Sequence, residues 1–137
     1  MWKATLVLVA ICAVAATSAL SAAGDPLTGA WVAHDVAGDG STDRYIFSAP
    51  DKDGVRNFTL VDSYGSYCET DGPGTGAPLT AHGHARLDGT TVHTTIESVV
   101  CGNGTHDTFD PPLEGQSELT SEGLNIDGYY TAVRAGP

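Results

Sequence analysis

Basic side chains are scarce in this chain, with six lysines and arginines against seventeen aspartates and glutamates among 137 residues. A surface that acidic repels nucleic-acid phosphates and anionic membranes, and leaves cations, basic proteins or neutral small molecules as partners. Cysteine is rare as well, at three residues, and no close Cys-x-x-Cys pair of the kind that binds zinc or exchanges thiols is present. No segment sustains a 3.6-residue apolar period, which argues against a helical domain. Catalytic motifs are missing too: there is no nucleophile elbow and no metalloprotease helix. The paired carboxylates Asp51 and Asp53 sit in a turn sequence that already explains them. The sequence therefore points away from an enzyme.

What is there begins with an export signal. Met1-Trp2-Lys3 is a short basic start, residues 6–16 form an apolar run, and Ser21-Ala22-Ala23 offers small residues for cleavage before Gly24. Thr17, Ser18 and Ser21 interrupt the run short of the roughly 20 apolar residues that a membrane anchor needs. Residues 1–23 are thus expected to be removed, leaving a single secreted domain over 24–137. Only one basic residue and no acidic one departs with the leader, so the mature chain is more acidic still. Cys12 leaves as well, and Cys68 and Cys101 are expected to pair in the oxidising environment outside the cell.

The mature sequence reads as short strands separated by turns. The centre is a hairpin, residues 79–87 and 90–100, around Asp88-Gly89. A turn on those two residues sets Leu87 opposite Thr90, Arg86 opposite Thr91 and His84 opposite His93. His82, His84, Arg86, Thr91, His93, Thr95 and Glu97 then share a wet face, while Ala85, Leu87, Val92 and Ile96 share a dry one. Before the hairpin, Asp25 and Pro26 read as an exposed lead-in, and strands are expected over 27–32, 43–48 and 55–61. After it they are expected over 105–109, 114–119 and 124–134, with Pro111-Pro112 separating the first two. Eight short strands with almost no helix imply an all-β fold that must hide its edges. An antiparallel up-and-down β-barrel fits best, and a two-sheet β-sandwich is the alternative.

Gly29-Ala30-Trp31 resembles the Gly-x-Trp signature on the first strand of the calycin barrels, the lipocalins and avidins, and residues 27–31 look most like the avidin start. The resemblance implies a barrel whose base is covered by a basic residue of the last strand stacked on the tryptophan, a role that falls to Arg134. Avidin-like biotin pockets are walled by several tryptophans. Here only Trp31 survives cleavage of the leader, so biotin binding is not carried over.

Three groups of residues are candidates for chemistry. The run from Asp35 to Asp43 resembles the calcium loops of integrin-type propeller repeats, with Asp35, Asp39, the Ser41 carbonyl and Asp43 at ligand positions. Ala37 stands where a further carboxylate belongs, and a solvated Gly/Asp loop between strands accounts for the run equally well. No cofactor is expected, with calcium the candidate exception at this loop. His82, His84 and His93 could converge on zinc across the hairpin, with Glu97 too far along the strand to help, or could simply be solvated. Trp31, Tyr45, Phe58 and Tyr130 are candidate lumen residues for a small molecule. Tyr64, Tyr67, Tyr129 and Tyr130 are the aromatics most available for recognition, although Tyr64 and Tyr67 suit a role in packing the long loop before residue 78. Asn57-Phe58-Thr59 and Asn103-Gly104-Thr105 match glycosylation acceptors. The expectation is a secreted, non-catalytic binding domain for a small molecule at the barrel mouth. The alternative is an extracellular structural or protein-interaction domain without a lumen ligand, with calcium as a stabiliser.

Overall fold

The computed structural model describes residues 24–34, 38, 40–68 and 76–136. Residues 1–23, the expected leader, lie outside them, as do Asp35 and Asp39. Eight strands form one closed antiparallel barrel in chain order: β1 (Gly29–His34), β2 (Thr42–Phe47), β3 (Val55–Gly65), β4 (Ala77–Asp88), β5 (Thr91–Cys101), β6 (His106–Leu119), β7 (Leu124–Ile126) and β8 (Tyr130–Arg134). Trp31 pairs with Arg134 and Val32 with Val133 to close β1 on β8. Closure removes the free edges that an open sheet of this pattern would expose, and the β-sandwich alternative falls. The architecture is compatible with that of the calycins.

Eight strands were expected, but two boundaries differ. Pro111 and Pro112 do not break the chain; they sit inside β6, where Ile96 pairs with Leu113 and Ser98 with Thr108. Residues 109–112 therefore stand against Glu97 alone, and an irregularity of this kind is where a strand can hold proline. The stretch 124–134, expected as one strand, folds back on itself instead. Asp127 (φ 48°) and Gly128 (φ 77°) both take left-handed conformations, the dihedral signs of a type I′ turn, and Tyr129 N–H donates to Ile126 O at 2.8 Å.

The central hairpin is present with a different register. Leu87 faces Val92, Arg86 faces His93 and His84 faces Thr95, so the turn is centred on Gly89-Thr90. Gly89 has φ 62°, and glycine at the first central position is the type II′ arrangement. This register also stacks Leu87 on Val92 inside the barrel. The shift is by two residues in total, which keeps the side chains from Arg86 to Ile96 on their expected faces; beyond the extra residue after Ile96 the faces swap, with Val99 buried and Val100 exposed. Ala85 and Val92 are buried and Leu87 and Ile96 pack against them, whereas His82, His84, Arg86 and His93 are exposed.

The two ends of the barrel are built differently. At the base, the segment before β1 folds underneath. Leu27 is fully buried, and Trp31 Nε1 donates to its carbonyl at 3.0 Å. The Arg134 guanidinium lies 4.4 Å from the centroid of the Trp31 ring and donates to the carbonyls of Thr28, at 2.9 Å, and Pro26. Asp25 is no mere exposed lead-in. Its Oδ1 accepts from the backbone N–H groups of Leu27 and Thr28, and its carboxylate takes Arg56 Nη1 at 2.9 Å and Nη2 at 2.6 Å. Arg56 points into the barrel and is 4% exposed, so this pair plugs the base. At the other end, Cys68 and Cys101 form the expected disulfide, packed with Leu79, Ala81 and Val99.

Candidate functional site

The barrel wall is uneven in height. β6 runs for 14 residues while its neighbour β7 has three, and the two pair only through Ser117, Glu118 and Leu119. Among the described residues, no strand pairs with β6 above that point on the β7 side, where the Gln116 N–H donates to Asp127 Oδ1 at 3.3 Å. A cavity of about 330 Å³ lies inside the wall at this level. Tyr45 and Phe47 of β2, Phe58 and Leu60 of β3, Ile96 of β5 and Ile126 of β7 supply its apolar lining. Their strand parity turns them inward, and the rings of Phe47 and Tyr45 stack on Phe58 with centroids 5.2 and 6.3 Å away.

Leu113, Glu114 and Gly115 of β6 and Asp127 and Tyr129 of the β7–β8 turn form the rim. An outer groove of about 670 Å³ shares Thr94, Glu114, Gly115, Asp127 and Tyr129 with the cavity and adds His93, Thr95 and Gln116. The lumen thus communicates with solvent sideways, between β6 and the β7–β8 turn. Gly115 makes room here for the Thr94 hydroxyl of the neighbouring strand, because a Cβ there would stand 2.8 Å from Thr94 Oγ1.

Two phenols and a carboxylate meet at the upper end of the cavity. Tyr130 Oη donates to Asp43 Oδ2 at 2.9 Å, Tyr45 Oη lies 3.5 Å from the same oxygen, and the two phenol oxygens are themselves in hydrogen-bond contact. Asp62 stands directly across from Asp43 on the neighbouring strand. Burial lifts the Asp43 carboxyl above the ordinary range and the facing Asp62 adds to the lift, partly offset by the tyrosine hydroxyls. Burial likewise pushes the hydroxyls of Tyr45 and Tyr130 well above a normal phenol, and nearby carboxylates reinforce it. Both phenols stay protonated.

Of the four residues expected in the lumen, Tyr45, Phe58 and Tyr130 line the cavity, whereas Trp31 belongs to the closed base under Arg134. Tyr129 stands at the rim. Tyr67 donates to Asp107 at 2.7 Å and packs edge-on against Phe109, so it fastens its loop to β6. Tyr64 is half-buried at the end of β3.

The metal expectations fare differently. Asp35 and Asp39 lie outside the described residues, while Asp43 is taken up by the tyrosine hydroxyls inside the barrel. The three histidines do not converge as the expected register required: His93 faces Arg86, and His84 faces Thr95. Among the described residues, no three His, Cys, Asp or Glu side chains gather as metal ligands. Glu97, expected to be out of reach, is the residue that His84 meets, with Nδ1 2.8 Å from its Oε1. The extra residue in β5 between Ile96 and Ser98 brings it there.

Sequence reasoning did not single out Asp62, Thr94, Leu113, Glu114, Gly115 or Asp127. The Asp127-Gly128 dipeptide was a visible hairpin signal, and it would have exposed the shortness of β7. No protein-family model, curated protein or solved structure matches this chain.

Proposed function

We propose that this protein is a secreted, non-catalytic binding barrel that holds a small molecule in its lumen and admits it from the side. The observation that carries the reading is the cavity itself. A barrel this narrow fills its interior with side chains when it serves only as a scaffold. Here the base is plugged while the middle stays open, apolar along its walls and polar at one end, as small-molecule sites are. Its volume is at the low end of the roughly 300 to 1,000 Å³ common for such sites, so a compact ligand fits best. The calycin resemblance at Gly29-Ala30-Trp31, with Arg134 over Trp31, agrees with a ligand-carrying barrel. The disulfide and the leader sequence agree with secretion. The side passage offers the ligand an entrance.

The test is titration with a neutral, environment-sensitive fluorophore such as N-phenyl-1-naphthylamine. Saturable enhancement that disappears in Thr94→Phe, a variant whose ring fills the cavity beside Gly115 where cavity and groove share their lining, supports the reading. Enhancement that is absent, or equal in the folded variant, refutes it. A second reading, an extracellular protein-interaction domain, draws on Leu113 and Tyr129, which are 49% and 88% exposed beside the passage.

A further inference from the structure

The phenol and carboxylate groups of the cavity have no proton to offer, so the donors in its lining are the hydroxyls of Thr94 and Ser117. Tyr130 spends its hydroxyl proton on Asp43 Oδ2. Tyr45 has two acceptors in reach, the same carboxylate oxygen and the Tyr130 oxygen, and spends its own there. A phenol carries one donor and a carboxylate carries none, so the phenol oxygens lining the cavity face a ligand as acceptors only. The carboxylates of Asp127 and Glu114 at the rim are acceptors as well, with Asp127 Oδ1 already taking the Gln116 N–H at 3.3 Å.

Positive charge is kept away from the cavity. Arg56 and Arg134 are committed to the base through Asp25 and Trp31. Arg86 donates to the carbonyl of Asp53, and Arg44 is exposed on the outer face of β2. A carboxylate or phosphate ligand would enter this cavity without a cationic partner and against like charge. An ammonium group would find acceptors for its protons and the electron-rich faces of Tyr45 and Tyr130 beside it. The stacked rings of Phe47 and Phe58 suit an aromatic or alkyl body further in.

On the lumen reading above, we infer that the ligand is a compact organic cation, an apolar primary amine whose ammonium group sits at the Asp43–Tyr45–Tyr130 end. Three probes of nearly equal shape separate charge from size: 2-phenylethylamine, 2-phenylethanol and 3-phenylpropanoate, titrated at neutral pH by heteronuclear NMR. The amine is expected to bind about tenfold or more tightly than the alcohol, with the carboxylate weakest. Asp43→Asn and Asp127→Asn should each bring the amine towards the affinity of the alcohol, weakening the amine several-fold more than they weaken the alcohol. Asparagine tolerates the positive φ at position 127, so that variant is expected to keep its turn.

An alcohol or carboxylate that binds as tightly as the amine overturns the inference. If such binding is lost in Thr94→Phe, the lumen reading stands and only the ligand class is wrong. If no probe binds in a way that Thr94→Phe abolishes, the lumen reading and the cation inference fall together.

Discussion

Arg134, the last basic residue of the chain, lays its guanidinium 4.4 Å from the centre of the Trp31 ring and ties down the carbonyl of Thr28 at 2.9 Å. One side chain thus joins the first strand, the last strand and the segment that closes the base. A cation–π contact is worth about 0.5 to 2 kcal/mol, and a charged hydrogen bond adds a comparable amount. Arg134→Ala should destabilise the fold by about 2 kcal/mol in urea unfolding. Arg134→Lys should recover only part of that, because an ammonium lacks the planar fork. A variant as stable as the parent would mean that the stack is ornamental.

Asp25 and Arg56 form the second fastening. Removing the carboxylate by Asp25→Ala leaves a guanidinium in the barrel base without its charged partner, at a cost of about 3 kcal/mol. The hydrogen bonds from Arg56 hold the Asp25 carboxyl well below the usual range, outweighing its partial burial. A carboxylate depressed in the folded state stabilises above its unfolded pKa, about 4, and loses that stabilisation as pH falls towards the folded value. The difference between parent and Asp25→Ala should therefore hold from neutral pH down to about 4 and shrink below it. A difference that grows on acidification would contradict the pairing.

Asp43 has the opposite sign. Its carboxyl is raised by burial and by Asp62, so the folded state favours the protonated form. The cost of ionising it appears as pH rises from about 4 through the raised value. Asp43→Asn should raise the melting temperature by a few degrees at pH 7 and leave it unchanged at pH 3, where the parent is protonated folded or unfolded. A loss of stability at pH 7 would mean that the charge supports the tyrosine pair more than burial penalises it.

Cys101→Ser opens a loop that spans 33 residues of sequence. Chain-entropy reasoning gives a loss of about 3 to 4 kcal/mol, with the largest effect on hydrogen exchange around Leu79, Ala81 and Val99. Unchanged denaturant midpoints would show that the bridge adds nothing to the fold.

The barrel, its disulfide and the inward set of residues were legible because they rest on period-two patterning and compartment chemistry, which a two-residue register shift leaves intact. Alternation tells which face a residue takes, so Tyr45, Phe58 and Ile96 were placed correctly without knowing their partners. Where strands end is a matter of turn geometry. Proline stayed inside β6 at a local irregularity, and the Asp127-Gly128 turn cut a long strand in two. Those two departures together make β6 tall and β7 short, and the side passage follows from that mismatch. The reach of Glu97 to His84 likewise depends on one extra residue in β5. The closed base was legible for Trp31 and Arg134 through resemblance. Asp25 and Arg56 are 31 positions apart, and no local pattern links them.

The most direct test of the lumen reading is methyl NMR during titration with N-phenyl-1-naphthylamine. Leu60, Ile96 and Ile126 line the cavity, whereas Val100 and Val133 lie exposed on the outside. Saturable shifts confined to the three lumen methyl residues, and absent in Thr94→Phe, are the expected result. Shifts at Val100 and Val133 with the lumen methyls unmoved would place binding on the outer surface and contradict the account.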